Sequence, residues 1–166
     1  PVLLSMKGIY LQYDFLSSAE CFAVMSFYEA NKDKTFLHEY NQSYPLQLHH
    51  FQGFNEFDYI HSRVVDYAEV LSKTKFEVHN FEIVKWGPKS KMKSHKDFSV
   101  DEWSAIVYLN DNYYGGKTEF TDQELKITPK QGTLVLFNGY TMPHSVSEIL
   151  NGNRYTMAYW LENESV

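Results

Sequence analysis

Apolar residues change their spacing once along this chain, and the change divides it in two. In residues 17–31, Cys21, Val24, Met25 and Tyr28 recur at helical spacing. Ser17-Ser18-Ala19-Glu20 offers a capping box in which Ser17 and Glu20 each accept the other's backbone N–H. A second helical stripe, Phe57, Ile60, Val64, Ala68 and Leu71, predicts a helix over about 56–72. Residues 8–13 read as a short strand, and 33–54 as loop with one strand near 45–51. From residue 75 the period is two. Lys75–Trp86, Met92–Asp97, Trp103–Asn110 and Lys117–Phe120 read as strands, followed by Leu125–Thr128, Thr133–Phe137, His144–Leu150 and Arg154–Leu161. Between them stand the turn formers Gly115-Gly116, Pro129-Lys130-Gln131-Gly132 and Asn151-Gly152-Asn153.

Short strands behind a helical half predict an α+β, mainly β chain. Its core is expected to be a double-stranded β-helix, the jelly-roll or cupin-like double sheet, backed by N-terminal helices. At 166 residues the chain suits a single domain over 1–166, with 1–74 as helical support and 75–161 as the jelly-roll core.

Composition narrows the partners. A chain that is 43% hydrophobic and 17% aromatic is not disordered. Its net charge of −6 disfavours broad contact with a polyanion, so no nucleic-acid partner is expected. Cys21 is the single cysteine, which excludes an internal disulfide and a Cys-rich zinc site; it reads as a small buried group in the first helix. No apolar run of membrane length and no basic-then-apolar leader is seen, so a soluble, cytoplasmic protein without a membrane partner is expected. The chain opens on Pro1 rather than Met, which leaves its natural start open.

The chemistry gathers around Ser94-His95-Lys96-Asp97-Phe98. In a strand, residues two apart share a face, so His95 and Asp97 project into one pocket and Lys96 points away. His144, from a distant strand, is the candidate third ligand. Two imidazoles and one carboxylate make the facial triad that suits non-haem Fe(II) and leaves coordination positions open. Arg154 heads the last strand and shares a face with Thr156, Ala158 and Trp160. A buried arginine needs a partner, and its guanidinium forks onto a carboxylate through two parallel hydrogen bonds. Tyr108 faces the barrel interior and, with Thr156, offers neutral hydrogen bonds to that carboxylate. The strand opened by His144-Ser145-Val146 is expected to form a hairpin with that of Arg154, setting Arg154 across the hairpin from the metal. Lys85, Lys89, Lys91, Lys93 and Lys96 form a basic cluster by the pocket mouth, read as a solvated loop, with an acidic substrate as the alternative. His38, His49, His50, His61 and His79 read as surface or core residues.

In their order, these motifs resemble a known family. They are His95-x-Asp97, Ala105-Ile106-Val107-Tyr108-Leu109-Asn110, Gly115-Gly116-Lys117-Thr118-Glu119-Phe120, Pro129-Lys130-Gln131-Gly132, His144-Ser145-Val146, and Arg154-Tyr155 with Trp160. Residues 75–161 resemble the catalytic domain of the Fe(II)- and 2-oxoglutarate-dependent dioxygenases, and most of all its prolyl 4-hydroxylase branch. The resemblance implies that His95, Asp97 and His144 bind Fe(II). It implies that Arg154 and Tyr108 hold the far carboxylate of 2-oxoglutarate, with Thr156 as a further contact. O₂ would be the second co-substrate, and ascorbate dependence is a family expectation. The implied reaction is hydroxylation of an unactivated C–H bond, with succinate and CO₂ as co-products. A peptidyl proline is the first substrate class, a free amino acid or other small molecule the second. A jelly-roll module that binds metal or ligand without turnover is the alternative from another class. Because Asp97 supplies the carboxylate ligand, the chain is unlike the related halogenases that lack it. The segment Lys85-Trp86-Gly87-Pro88-Lys89 departs from the family's Tyr-Gly-Pro-Gly pattern: Trp86 replaces the tyrosine beside the co-substrate, and Lys89 the second glycine. Trp86 is thus expected at the co-substrate site, as pocket wall or as packing. Met92 stands where many prolyl hydroxylases have an aromatic.

Overall fold

A computed structural model describes residues 3–48, 56–98 and 102–164. The N-terminal half carries β1 (Leu3–Met6), β2 (Ile9–Gln12), helix α1 (Ser18–Ala30), β3 (Ser43–Gln47) and helix α2 (Asp58–Ser72). β4 (Phe76–Trp86), β5 (Met92–His95), β6 (Trp103–Tyr108), β7 (Tyr114–Gly115) and β8 (Thr118–Phe120) follow. The chain ends with β9 (Leu125–Ile127), β10 (Leu134–Phe137), β11 (His144–Val146), β12 (Ile149–Asn151) and β13 (Arg154–Asn163).

Both helices form where their stripes lie. Ser17 is extended, its Oγ accepts the Glu20 N–H at 3.1 Å, and Glu20 Oε1 accepts the Ser17 N–H at 2.9 Å. Cys21, Val24 and Tyr28 of α1 and Ile60, Val64 and Ala68 of α2 are buried in one cluster. That cluster covers the outer face of a seven-stranded antiparallel sheet ordered β1-β2-β10-β6-β13-β4-β3. Burying aliphatic side chains of this size contributes about 1.5–3 kcal/mol each, so the helices are fixed by packing.

The inner face of this sheet meets a four-stranded sheet, β5-β11-β8-β9. Ile9, Leu11, Tyr108, Val135 and Phe137 from the large sheet pack on Phe120 and Ile127 from the small one. Val84 and Trp86 meet Val146 and Ile149 in a separate cluster. The result is the expected double sheet backed by helices.

Local expectations differ in three places near the site and in two at the N-terminal strands. The strand expected over His144–Leu150 is two: β11 joins the small sheet, while β12 pairs with β7 in a separate ribbon. Gly115, expected in a turn, lies in β7 at φ 77°, where a Cβ would overlap the Glu148 carbonyl. The third difference concerns Arg154. β13 pairs with β4 and β6, not with the His144 strand, so the expected hairpin is absent and Arg154 lies on the sheet opposite His144. β3 begins at Ser43, two residues ahead of the expected strand, and β1 was not foreseen. His49, His50 and the end of the expected 45–51 strand fall outside the described residues. Among the described residues no helix is long and apolar enough to cross a membrane.

Candidate metal and co-substrate site

His95 closes β5 and His144 opens β11, and the register makes them direct cross-strand partners with ring centroids 4.3 Å apart. Asp97 lies two residues beyond the end of β5, so strand alternation is not what aims it. Its backbone N–H donates to the Gly139 carbonyl at 2.9 Å, and this tether brings the carboxylate to the imidazoles. Nε2 of His95 and Nε2 of His144 each lie 3.5 Å from Asp97 Oδ1, and the ligand atoms of all three residues fall within 4.8 Å of one another.

The hydrogen bonds behind this set favour a metal. His95 Nδ1 meets the Lys93 carbonyl at 2.9 Å, and His144 Nδ1 meets the Met142 carbonyl at 2.8 Å. A carbonyl oxygen only accepts, so each Nδ1 carries a proton, and each Nε2 faces Asp97, able to donate to the carboxylate as an N–H or to bind a metal through its lone pair. The Ser104 hydroxyl donates to Asp97 Oδ2, which leaves Oδ1 for the shared point. A Cβ on Gly139 would overlap Asp97 Oδ2 and Ser104 Oγ, so the cradle requires glycine. Burial works to raise the Asp97 carboxyl, but hydrogen bonds from His144 and His95 outweigh it and hold the group well below the usual carboxylate range. The hydrogen bond with Asp97, against desolvation, raises His95. A divalent cation would satisfy the same carboxylate without protonating an imidazole, and Fe(II) fits the donor set.

A cavity of about 150 Å³ extends from this triad to Arg154. Arg154 is 1% exposed. Its Nε donates to the Gly116 carbonyl at 3.1 Å and its Nη2 lies 3.5 Å from Thr118 Oγ1. Its Cζ stands 5.2 Å from the Trp86 ring centroid and 5.6 Å from that of Tyr108. Among the described residues no carboxylate pairs with it. A buried guanidinium with only neutral partners is costly, so this end of the cavity is built for an anion. Tyr108 is fully buried and its hydroxyl is hydrogen-bonded to Thr118 Oγ1, which places it beneath the guanidinium. Thr156 lines the cavity from β13. Trp86 is both wall and packing, and its indole N–H is buried without a hydrogen-bond partner.

Sequence reasoning missed several contributors. Ser104 and Thr118 shared inward faces with Tyr108 and Phe120, so alternation could have found both. Tyr113 sits in a loop without period; its hydroxyl is buried without a partner, and its ring and Arg154 Cδ would each lie 3.0 Å from a Cβ on Gly116. Gly139 lies in the loop between β10 and β11, where the sequence pattern gives no signal for it. His38, assigned to surface or core, lines the cavity with its Nδ1 buried and unpartnered. His61 is a core residue, edge-on to Phe81 and Tyr159. Lys85 leaves the expected basic cluster, because it points to the helix side and pairs with Glu29 at 3.2 Å.

Two imidazoles and a carboxylate in a double-sheet barrel, facing a buried arginine across one cavity, define the class of 2-oxoglutarate-dependent iron dioxygenases. Comparison with known proteins agrees: the model of the 2OG-Fe(II) oxygenase superfamily matches residues 78–162, just over half of the chain, and the chain belongs to that family. Fe(II), 2-oxoglutarate and O₂ are the cofactor and co-substrates of this superfamily. Prolyl 3-hydroxylase 2 of Rattus norvegicus is 33% identical over 69 residues, which cover 38% of this chain and 10% of that protein. The chain thus corresponds to about a tenth of that relative's length. The viral collagen prolyl hydroxylase vCPH of Paramecium Bursaria Chlorella virus-1, solved as a 2OG complex, superposes with a TM-score of 0.78 at 18% identity, over 96% of this chain and 97% of that one. A Trichoplax adhaerens prolyl hydroxylase, solved with a hypoxia inducible factor peptide fragment, superposes with a TM-score of 0.71 at 15% identity, over 94% and 84%. At these identities the structural likeness establishes the fold.

Proposed function

We propose that this chain hydroxylates an unactivated C–H bond, with 2-oxoglutarate and O₂ as co-substrates and succinate and CO₂ as co-products, and that the bond belongs to a peptidyl proline. One observation carries the reading: a triad whose imidazoles are both oriented by backbone carbonyls shares a cavity with a buried arginine that has no carboxylate partner among the described residues. Fe(II) chelated by a 2-oxo acid, when bound, supplies the O₂ activation that no acid–base set of side chains provides.

The chain's own residues hold and orient. His95, Asp97 and His144 would bind the metal, with Ser104 and the two carbonyl tethers fixing their angles. Arg154 would fork onto the far carboxylate of 2-oxoglutarate, supported by Tyr108, Thr118 and Thr156. The orphaned Trp86 N–H would donate to the same ligand. Phe137, edge-on to His144 at 4.7 Å between centroids, and Phe120 at 6.3 Å keep water from the far side of that ligand. The prolyl assignment draws on the relatives and neighbours named above. A free amino acid is the second reading, and a carboxyl on the cavity wall, Glu82, favours it.

The test needs no substrate. Fe(II) and then 2-oxoglutarate are added to the protein without oxygen, and the visible metal-to-ligand charge-transfer band of a chelated 2-oxo acid is followed. The band is expected in wild type, absent in Asp97→Ala, and to need more 2-oxoglutarate in Arg154→Ala. Folded, metal-loaded wild type without the band refutes the reading and favours a binding module without turnover.

A further inference from the structure

Glu82 is an acid on the wall of the cavity that the reading above leaves without a task. It lies in β4 on the face that also carries Val84 and Trp86, and like them it lines the cavity shared with the metal triad. The register sets it opposite Ala158 of β13, whose other neighbour is Ile106 of β6. Two strand spacings, about 10 Å, therefore separate Glu82 from the strand whose Ser104 holds Asp97. Trp160, which also lines the cavity, is its diagonal neighbour on the same face. Glu82 lies four residues from Trp86, about 13 Å along the strand, and so at the opposite end of the cavity from Arg154.

Charge balance decides what this acid faces. The two positive charges of Fe(II) and the one of Arg154 match the single negative charge of Asp97 and the two of 2-oxoglutarate. When ionised, Glu82 is then the uncompensated charge of the loaded cavity. Gln47 gives it a hydrogen bond, but no lysine, arginine or histidine among the described residues pairs with it, and burial pushes its carboxyl up to about 7. A carboxylate beside an indole in a largely apolar wall is a recognition site for an organic cation: the carboxylate supplies the charge and the ring face the stacking.

We infer that Glu82, with Trp160, is a specificity-determining residue, and that the substrate carries a protonated nitrogen near its reacting carbon. The inference rests on the oxygenase reading of the cavity. The shared chemistry is an ammonium group. A peptidyl proline has only an amide nitrogen, so on that reading the charge belongs to a basic side chain beside the proline; on the second reading it is the nitrogen of a free amino or imino acid.

The test is calorimetric binding to the full chain loaded with Zn(II) and 2-oxoglutarate. Two pairs of probes are used: L-proline with N-acetyl-L-proline amide, and Nα-acetyl-L-lysine amide with its Nε-acetylated counterpart. The first pair moves the charge on the α-nitrogen and the second that on the side chain, which separates the two sources. In at least one pair the charged member is expected to bind at least about tenfold tighter, and Glu82→Gln to abolish the preference. Glu82→Ala is a second neutral variant, and Glu82→Asp, which keeps the charge, retains a preference. The charge-transfer band is recorded first; its absence from wild type takes down the oxygenase reading and this inference together. With the band present, three results overturn the inference alone: no probe binds, the neutral members bind as tightly, or the preference survives in the neutral variants.

Discussion

Gly139 and Asp97 are in contact that admits no side chain between them. The Gly139 carbonyl accepts the Asp97 N–H at 2.9 Å, and a Cβ on residue 139 would overlap the Asp97 carboxylate. Gly139→Ala is therefore expected to displace the Asp97 carboxylate from the two imidazoles. Metal affinity should fall by about 10–100-fold. The overpacking should cost about 1–3 kcal/mol of stability. Competition for Zn(II) against a chromophoric chelator and urea unfolding measure the two effects. A variant that binds Zn(II) like wild type contradicts the cradle.

Ser104→Ala separates orientation from packing. It removes only the hydroxyl that donates to Asp97 Oδ2. Its expected effect is a metal affinity lower by about 10–100-fold. Stability should change by only about 1 kcal/mol. The same competition titration reads it, and an unchanged affinity would show that Asp97 needs no such support.

Arg154→Met tests whether the buried cation is kept for a ligand. With no carboxylate partner among the described residues, the guanidinium weighs against the protein until an anion binds it. The methionine variant should be as stable as wild type or more so, by up to about 4 kcal/mol, with no co-substrate added. Wild type should gain about 2.7 kcal/mol at a hundredfold excess of 2-oxoglutarate over Kd, and the variant nothing. Thermal unfolding of the metal-loaded proteins with and without 2-oxoglutarate reads both effects. A variant less stable than wild type, yet still stabilised by 2-oxoglutarate, refutes this account.

Glu82 sets a pH dependence. Its carboxyl is raised from the ordinary 4.5 to about 7 by burial, so the native state binds its proton more tightly than the unfolded chain does. Unfolding then releases a proton at intermediate pH, and this contribution to stability falls as pH rises from about 4.5 to about 7 and is flat beyond. Glu82→Gln removes the slope. Urea unfolding of the metal-free protein at pH 5 and pH 8 should show wild type losing stability relative to Glu82→Gln across that range. Parallel profiles would show that Glu82 is not desolvated.

The α1 cap gives a control far from the site. Ser17→Ala removes the acceptor of the Glu20 N–H and should cost about 1 kcal/mol, read by urea unfolding, with Zn(II) affinity unchanged.

What the chain disclosed in advance follows from the range of each interaction. The cap at Ser17, the stripes of α1 and α2, and the faces of β6 and β13 depend on neighbours a few residues away, and spacing reveals those. That His95, Asp97 and His144 come together was legible from residue type, but strand alternation does not account for Asp97. A long-range bond to Gly139 aims it, where strand alternation had been expected to do so. The break between β11 and β12 was hidden for a similar reason. No glycine, proline or asparagine interrupts residues 144–150, and only pairing with different partners separates the two strands. Tyr113 and Gly139 lie in loops, where no period exists to betray a buried role.

The two halves of the site belong to different sheets: the imidazoles to the small one, the arginine to the large one. A chain whose sheets have come apart has no place where metal and co-substrate can meet. It keeps at most the pairing of β5 with β11, while Arg154 is parted from the triad. On the proposed assignment, consumption of 2-oxoglutarate would therefore report on sheet docking as strictly as on chemistry. On the proposed assignment the topology would also work as a safety interlock: a chain whose sheets are not yet docked would hold Arg154 apart from the metal triad, and O₂ would not be activated before the fold is complete.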